Sequence, residues 1–443
     1  MKYYFLALAL FIYTASLAQT DARLYDIINT VSAKNMEADI TTLANFGTRN
    51  TFSDTISNSR GIGAARRWIK AEFDEISKNC NDCLDVFYQK DLVKAEENTR
   101  VSKDVWVVNV VAIQKSKTQS NRYIIMSGDI DSRNSDAGDF TKDAPGANDN
   151  ASGMAGAIEA ARVLSSYRFN ANIVYLGLSG EEQGLFGGAG FAAYAKEKSW
   201  DIIGVINNDM IGNIKGVDGV ISNVDFRIFS EPVPPTETEK QRRLRRFYGG
   251  EVDGVSRQLA RYVHKTTKTY MPEMNPMMIY RLDRFGRGGH HRPFNDLGYP
   301  AIRIMEAHEN YTQQHQDIRT ENGIEYGDKI KFVNFEYAKK LTAVNAIVMA
   351  SLAWAPAPPT GVAIGGIVQP AAKFKWKKSA DAIGYKIYWR DTTSPSWDYS
   401  RFVGNQAAFL LNGIVIDNYF FGIAAVGKDG HESVVVFPSA TFR

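Results

Sequence analysis

Apolar residues along this chain recur with two different periods, and the switches between them divide it into elements. Residues 19–100 read as helical with polar faces, and "GIGAARRWIKAEFDEI" (61–76) carries amphipathic spacing. Apolar runs at "VWVVNVVAI" (105–113) and "RYIIMSG" (122–128) predict strands. "SGMAGAIEAARVL" (152–164) predicts an alanine-rich helix, and "ANIVYLGLS" (171–179) the strand after it. A helix around 184–197, a strand at "IGVINNDMIG" (203–212), a strand "YPAIRIME" near 300 and a closing helix over 333–353 complete the series. Strands alternating with helices predict an α/β fold, a mostly parallel, doubly wound sheet flanked by helices.

The stretch 217–285 breaks this rhythm, and the arginines of "EKQRRLRRF" within it read as a solvated helix face. "WAPAPPTG" (354–361) is a proline-rich linker. Beyond it, "AAKFKWKK", "GYKIYWRD", "AAFLLNGI", "NYFFGIAAVGKDG" and "ESVVVFP" alternate apolar and polar positions between closely spaced turns. That pattern predicts a small all-β sandwich over 362–443, with Trp376, Tyr385, Trp389 and Tyr419 as core or near-core aromatics.

Length supports the division, because 443 residues exceed what one hydrophobic core usually organises. A formal charge of +3 excludes a strongly basic protein and gives no reason to expect nucleic acid or an acidic membrane as partner. The opening "MKYYFLALALFIYTASLAQT" has the lysine, apolar run and small residues of a signal peptide, with cleavage expected after Ala18. The chain is therefore expected to be exported, to a periplasm or outside the cell, and without a membrane span. Cys80 and Cys83 are the only cysteines, and in an oxidising compartment they are expected to form a small structural disulfide.

Chemistry gathers where predicted strands end. "SGDIDS" (127–132) delivers Asp129 and Asp131, "PGANDNASG" (145–153) Asp149, "SGEEQG" (179–184) Glu181 and Glu182, and "NNDMIG" (207–212) Asp209. In open α/β sheets the ligand crevice lies at the carboxyl ends of the strands. Acids sharing that crevice repel one another by about 4 kcal/mol per contact at about 4 Å unless protons or cations intervene. Histidine is scarce, yet four of six fall at 290, 291, 308 and 315.

In this order, "SGDIDS", "PGANDNASG", "LSGEEQGLFG", "NNDMIG" and "GGHHRPFNDLGYPAI" resemble the co-catalytic zinc aminopeptidase family, whose relatives include glutaminyl cyclases and glutamate carboxypeptidases. The tail resembles a fibronectin type III domain. The first resemblance implies zinc, one or two ions, with Asp149 bridging, Glu182 and His291 completing one site, and Asp209 holding the other. It implies Glu181 as general base and places Asp131 where the family has the aspartate that orients a histidine ligand, a role it loses here to become a second negative charge nearby. The family's strand end reads Gly-His-x-Asp-Ser, and Asp129 stands where that histidine would. His290 stands in turn where the family has an acidic residue before His-x-Pro-Phe. A site of Asp129, Asp149 and Asp209 is all oxygen and could accept a harder cation alongside zinc. Arg292, Tyr311 and His315 are candidates for contacting substrate, a peptide with a free N-terminus. The alternatives are a single-zinc glutaminyl cyclase, and a non-catalytic secreted protein whose β-sandwich binds a surface or another protein.

Overall fold

The computed structural model describes residues 20–97, 99–250 and 253–442, so the expected signal segment lies outside the described residues. Eight strands form the central sheet: β1 (Leu84–Val93), β2 (Val105–Gln114), β3 (Arg122–Asp129), β4 (Asn172–Leu178), β5 (Asp201–Asn208), β6 (Asp225–Ser230), β7 (Asn275–Ile279) and β8 (Ala301–Glu306). Their order is β1-β2-β4-β3-β5-β8-β6-β7. β3 runs parallel to β4 and β5, and β5 to β8, so the middle of the sheet sends its carboxyl ends to one edge. β2 is antiparallel to both its neighbours, and β6 is antiparallel to β8.

Two features differ from the sequence pattern. The stretch expected to be helical throughout 19–100 ends in β1, whose alternating exposure marks an edge strand with one face in solvent. The irregular 217–285 stretch contributes β6 and β7, and so extends the sheet beyond β8. Helices Gly153–Leu164 and Phe335–Trp354 bury nearly every residue against one face of the sheet. Gly128 and Gly153 make the first of these contacts possible: a Cβ on Gly128 would meet the Gly153 carbonyl carbon at 2.4 Å. The end of β3 is thereby held directly against the turn that carries Asp149 and Asn150.

Cys80 and Cys83 are joined by a disulfide. Among the described residues no helix is long and apolar enough to cross a membrane.

The C-terminal residues form two small sheets, of four and three strands, that share one core built on Phe374, Trp376, Tyr385, Ile387 and Phe421. This unit is locked to the first by charge. Asp253, its side chain fully buried, lies 2.5 Å from Arg261 on the helix Val255–Tyr270 and 2.9 Å from Arg390 on the strand Gly384–Asp391. Removing one partner of such a network strands two buried guanidiniums. Asp253→Ala is therefore expected to cost about 3–5 kcal/mol, measured as a lowered melting temperature of the full chain.

Candidate metal centre

Three strand ends and one loop converge on the crevice. Asp129 closes β3, Asp209 follows β5, and Gly180, at φ +75°, turns the chain after β4 into the short helix Glu181–Gly184. Asp131 fastens that turn. It accepts the backbone N–H of Glu181 at 3.2 Å on one oxygen and that of Glu182 at 3.1 Å on the other. Asp328 does the same for the opposite wall, accepting the N–H groups of Asn148 at 2.8 Å and Asp149 at 2.6 Å.

Asp149, Glu182 and His315 each bring one donor atom to a point, all within 4.8 Å of one another. His315 Nε2 lies 2.8 Å from Asp149 and 2.9 Å from Glu182, so the imidazole bridges the two carboxylates. Its backbone takes φ +51°, a left-handed conformation uncommon for a residue with a side chain. Gln314 Nε2 donates to Asp149 at 3.1 Å.

His291 is not part of this cluster. Its Nε2 sits 2.7 Å from the Leu282 carbonyl and 3.6 Å from Asp283, and burial pushes the ring down to about 4. Consecutive residues at a helix start point about 100° apart, which separates His291 from His290. His290 Nδ1 instead shares a 2.5 Å hydrogen bond with Asp129, whose other oxygen accepts Asn150 Nδ2 at 2.6 Å. Both departures from the family pattern are thus in contact with each other. Asp209 is also engaged: the fully buried Arg303 lies 3.0 Å from its carboxylate, donates to its peptide carbonyl, and pairs with Asp283 at 3.0 Å. Of the expected substrate contacts, Arg292 reaches the crevice, Tyr311 is 59% exposed, and His315 is in the cluster itself.

The electrostatics follow from crowding acids out of water. Burial pushes the Asp129 carboxyl up to about 8, although Asn150 donates to it. Burial likewise drives Glu181 and Asp209 well above the carboxylate range, with neighbouring acids adding to it in both. Asp149 goes the other way: burial works against its charge, but the His315 imidazolium holds it low. His315 is raised to about 9, against its burial, by Glu182 and Asp149. A divalent cation held at this cluster would reverse the balance, because its charge would replace the proton as the partner of Asp149 and Glu182.

Comparison with known proteins gives the lineage. A family model for peptidase family M28 matches residues 109–329. A probable zinc metalloprotease of Pyrenophora tritici-repentis is 38% identical over 94% of this chain and 98% of its own length. The chain belongs to peptidase family M28. A probable zinc metalloprotease of Phaeosphaeria nodorum is 37% identical over 94% of this chain and 88% of its own. Among solved structures, the LapA aminopeptidase of Legionella pneumophila has a TM-score of 0.54 at 17% identity, covering 76% of this chain and 78% of that one. LapB from the same organism has a TM-score of 0.54 at 16% identity, covering 75% of each chain. These likenesses establish the shared fold, a large central sheet flanked by helices.

As an M28 protein the chain is a metal-dependent peptidase, and two carboxylates with one imidazole are a donor set suited to zinc. Sequence reasoning missed Asp328, Arg303, Asn150 and Gln314. Asn150 stands inside "PGANDNASG" yet acts through Asp129. Asp328, Arg303 and Gln314 stand in no spacing that signals chemistry, and each acts through a partner distant in the chain.

Proposed function

We propose that the protein is an exported aminopeptidase that holds one zinc ion at Asp149, Glu182 and His315 and uses Glu181 as general base. The observation that carries this reading is the convergence of those three donors, two of which, Glu182 and His315, line an open cavity of about 1060 Å³ together with Glu181. The oxygens expected for a second ion are already partnered, Asp129 by His290 and Asn150, and Asp209 by Arg303. That favours one ion over two.

When bound, the ion supplies Lewis acidity at the scissile carbonyl and lowers the pKa of water in the site toward about 7. Glu181 faces the cavity from the first turn after β4. In its ionised form, which the positive charge of a bound cation would favour against burial, it would take the proton of the attacking water and pass it to the leaving amine. Asp131 is a positioning residue, since its two oxygens fix the amides of Glu181 and Glu182. His315 and Glu182 line the same cavity, so a peptide entering it meets the ion ligands and the base together.

The test is a matched pair of peptides, one with a free N-terminus and one N-acetylated, assayed with the zinc-loaded protein. An aminopeptidase releases the first residue from the free peptide and leaves the acetylated one intact. Internal cleavage of both would replace this reading with an endopeptidase. Ammonia release from an N-terminal glutaminyl peptide without chain cleavage would replace it with a cyclase.

A further inference from the structure

The cavity in front of the cluster has an unequal charge lining. Arg100, Arg133, Arg287 and Arg292 reach it, against Glu181, Glu182 and Asp296. Glu182 belongs to the donor set and Glu181 to proton transfer, which leaves four guanidiniums facing one carboxylate. Arginine stays charged at any accessible pH, so this imbalance cannot be relieved by losing a proton.

The local contacts leave these cations underused. Arg133 is 3.6 Å from Glu182, longer than a hydrogen bond. Arg100 donates to the Glu182 carbonyl at 2.7 Å, and Arg287 lies 3.2 Å from His315 Nδ1; neither partner is a carboxylate. Among the described residues, no carboxylate forms an ion pair within 4.0 Å with Arg100, Arg287 or Arg292, and Glu231 feels the charge of Arg292 only from further away. The Nε atoms of Arg133 and Arg292 are buried without a hydrogen-bond partner. A buried donor left unmade is costly, the more so on a charged group. The planar fork of a guanidinium matches a carboxylate or a phosphate through two parallel hydrogen bonds, of which a peptide offers the carboxylate.

Resting on the peptidase reading, we infer that this cavity selects peptides that bring a carboxylate beside the scissile bond, with Arg292 as one of its anchors. The carboxylate comes either from an acidic side chain or from the C-terminus of a very short peptide. A long neutral peptide supplies neither, and leaves the arginines facing water.

Two substrate pairs separate the sources. Glutamyl and methionyl anilides differ in the side-chain carboxylate at similar size. Alanyl-leucine and alanyl-leucinamide differ in the terminal one. The charged member of at least one pair is expected to have a kcat/KM about tenfold higher or more, and the pair that shows it names the source. That advantage is expected to shrink as ionic strength rises. Arg292→Gln should collapse the charged-to-neutral ratio chiefly through KM, and Arg292→Lys should restore part of it. Equal kcat/KM within both pairs, or a ratio untouched by Arg292→Gln, overturns the inference while turnover of the neutral members leaves the peptidase reading standing. Wild-type selectivity is read without any substitution, so a poorly folding variant does not shield the inference. If no member of either pair is hydrolysed by the zinc-loaded protein, the peptidase reading falls and the inference falls with it.

Discussion

Glu181→Gln is expected to lower kcat by a factor of about 10²–10⁴, the usual contribution of a positioned proton-transfer group. Glutamine has nearly the same shape, so the turn after β4 and its two N–H bonds to Asp131 should persist. Zinc content should also persist, because the three converging donors are Asp149, Glu182 and His315. Stability should not fall. The variant puts a neutral amide where burial and the neighbouring acids already drive Glu181 toward its neutral, protonated form. The measurement is kcat in a zinc-replete assay, alongside elemental analysis and a melting curve on the same sample. Turnover within a factor of about three of wild type would remove Glu181 from the mechanism, since an effect below that range is not proton transfer.

The second large effect concerns which histidine holds the ion. Wild-type protein is expected to carry one zinc per chain, and His315→Ala to carry none at the same free zinc, with activity lost. Outer-shell partners of a metal are already worth about 10–100-fold in affinity, and a direct ligand should exceed that. His291→Ala is the control with the opposite outcome. Its imidazole is buried against the Leu282 carbonyl, so the substitution should cost about 1–3 kcal/mol of stability by stranding that acceptor. Zinc content should stay at one. Retention of zinc by His315→Ala together with its loss in His291→Ala would return the ligand to position 291. Two zinc ions in wild type would show that the Asp129–His290 and Asp209–Arg303 contacts open to admit a second ion.

Much of the architecture was written in the order of residues. Strand and helix leave different apolar periods, so β2, β3, β4, β5 and β8 and the helices packed on them were legible from local spacing alone. The crevice followed, because Asp129 ends a strand, Glu181, Glu182 and Asp209 come directly after strands, and parallel strands end on one side; Asp149 instead stands just ahead of a helix, about twenty residues after β3. β1 was not legible. An edge strand with a wet face has too few apolar positions to stand out from a polar helix.

Only the folded chain decided how those acids are partnered. Asp129 and His290 are 161 residues apart, and nothing in either neighbourhood says that one will meet the other. His315 lies in a loop without periodicity, and its left-handed backbone is what brings the ring onto Asp149 and Glu182. Arg303 looks from the sequence like an interruption in an apolar strand, and becomes the counter-charge of Asp209 and Asp283 because β8 lies beside β5. Local spacing fixes which face of an element a side chain takes. Its electrostatic partner depends on distances across the fold, and those are set by packing.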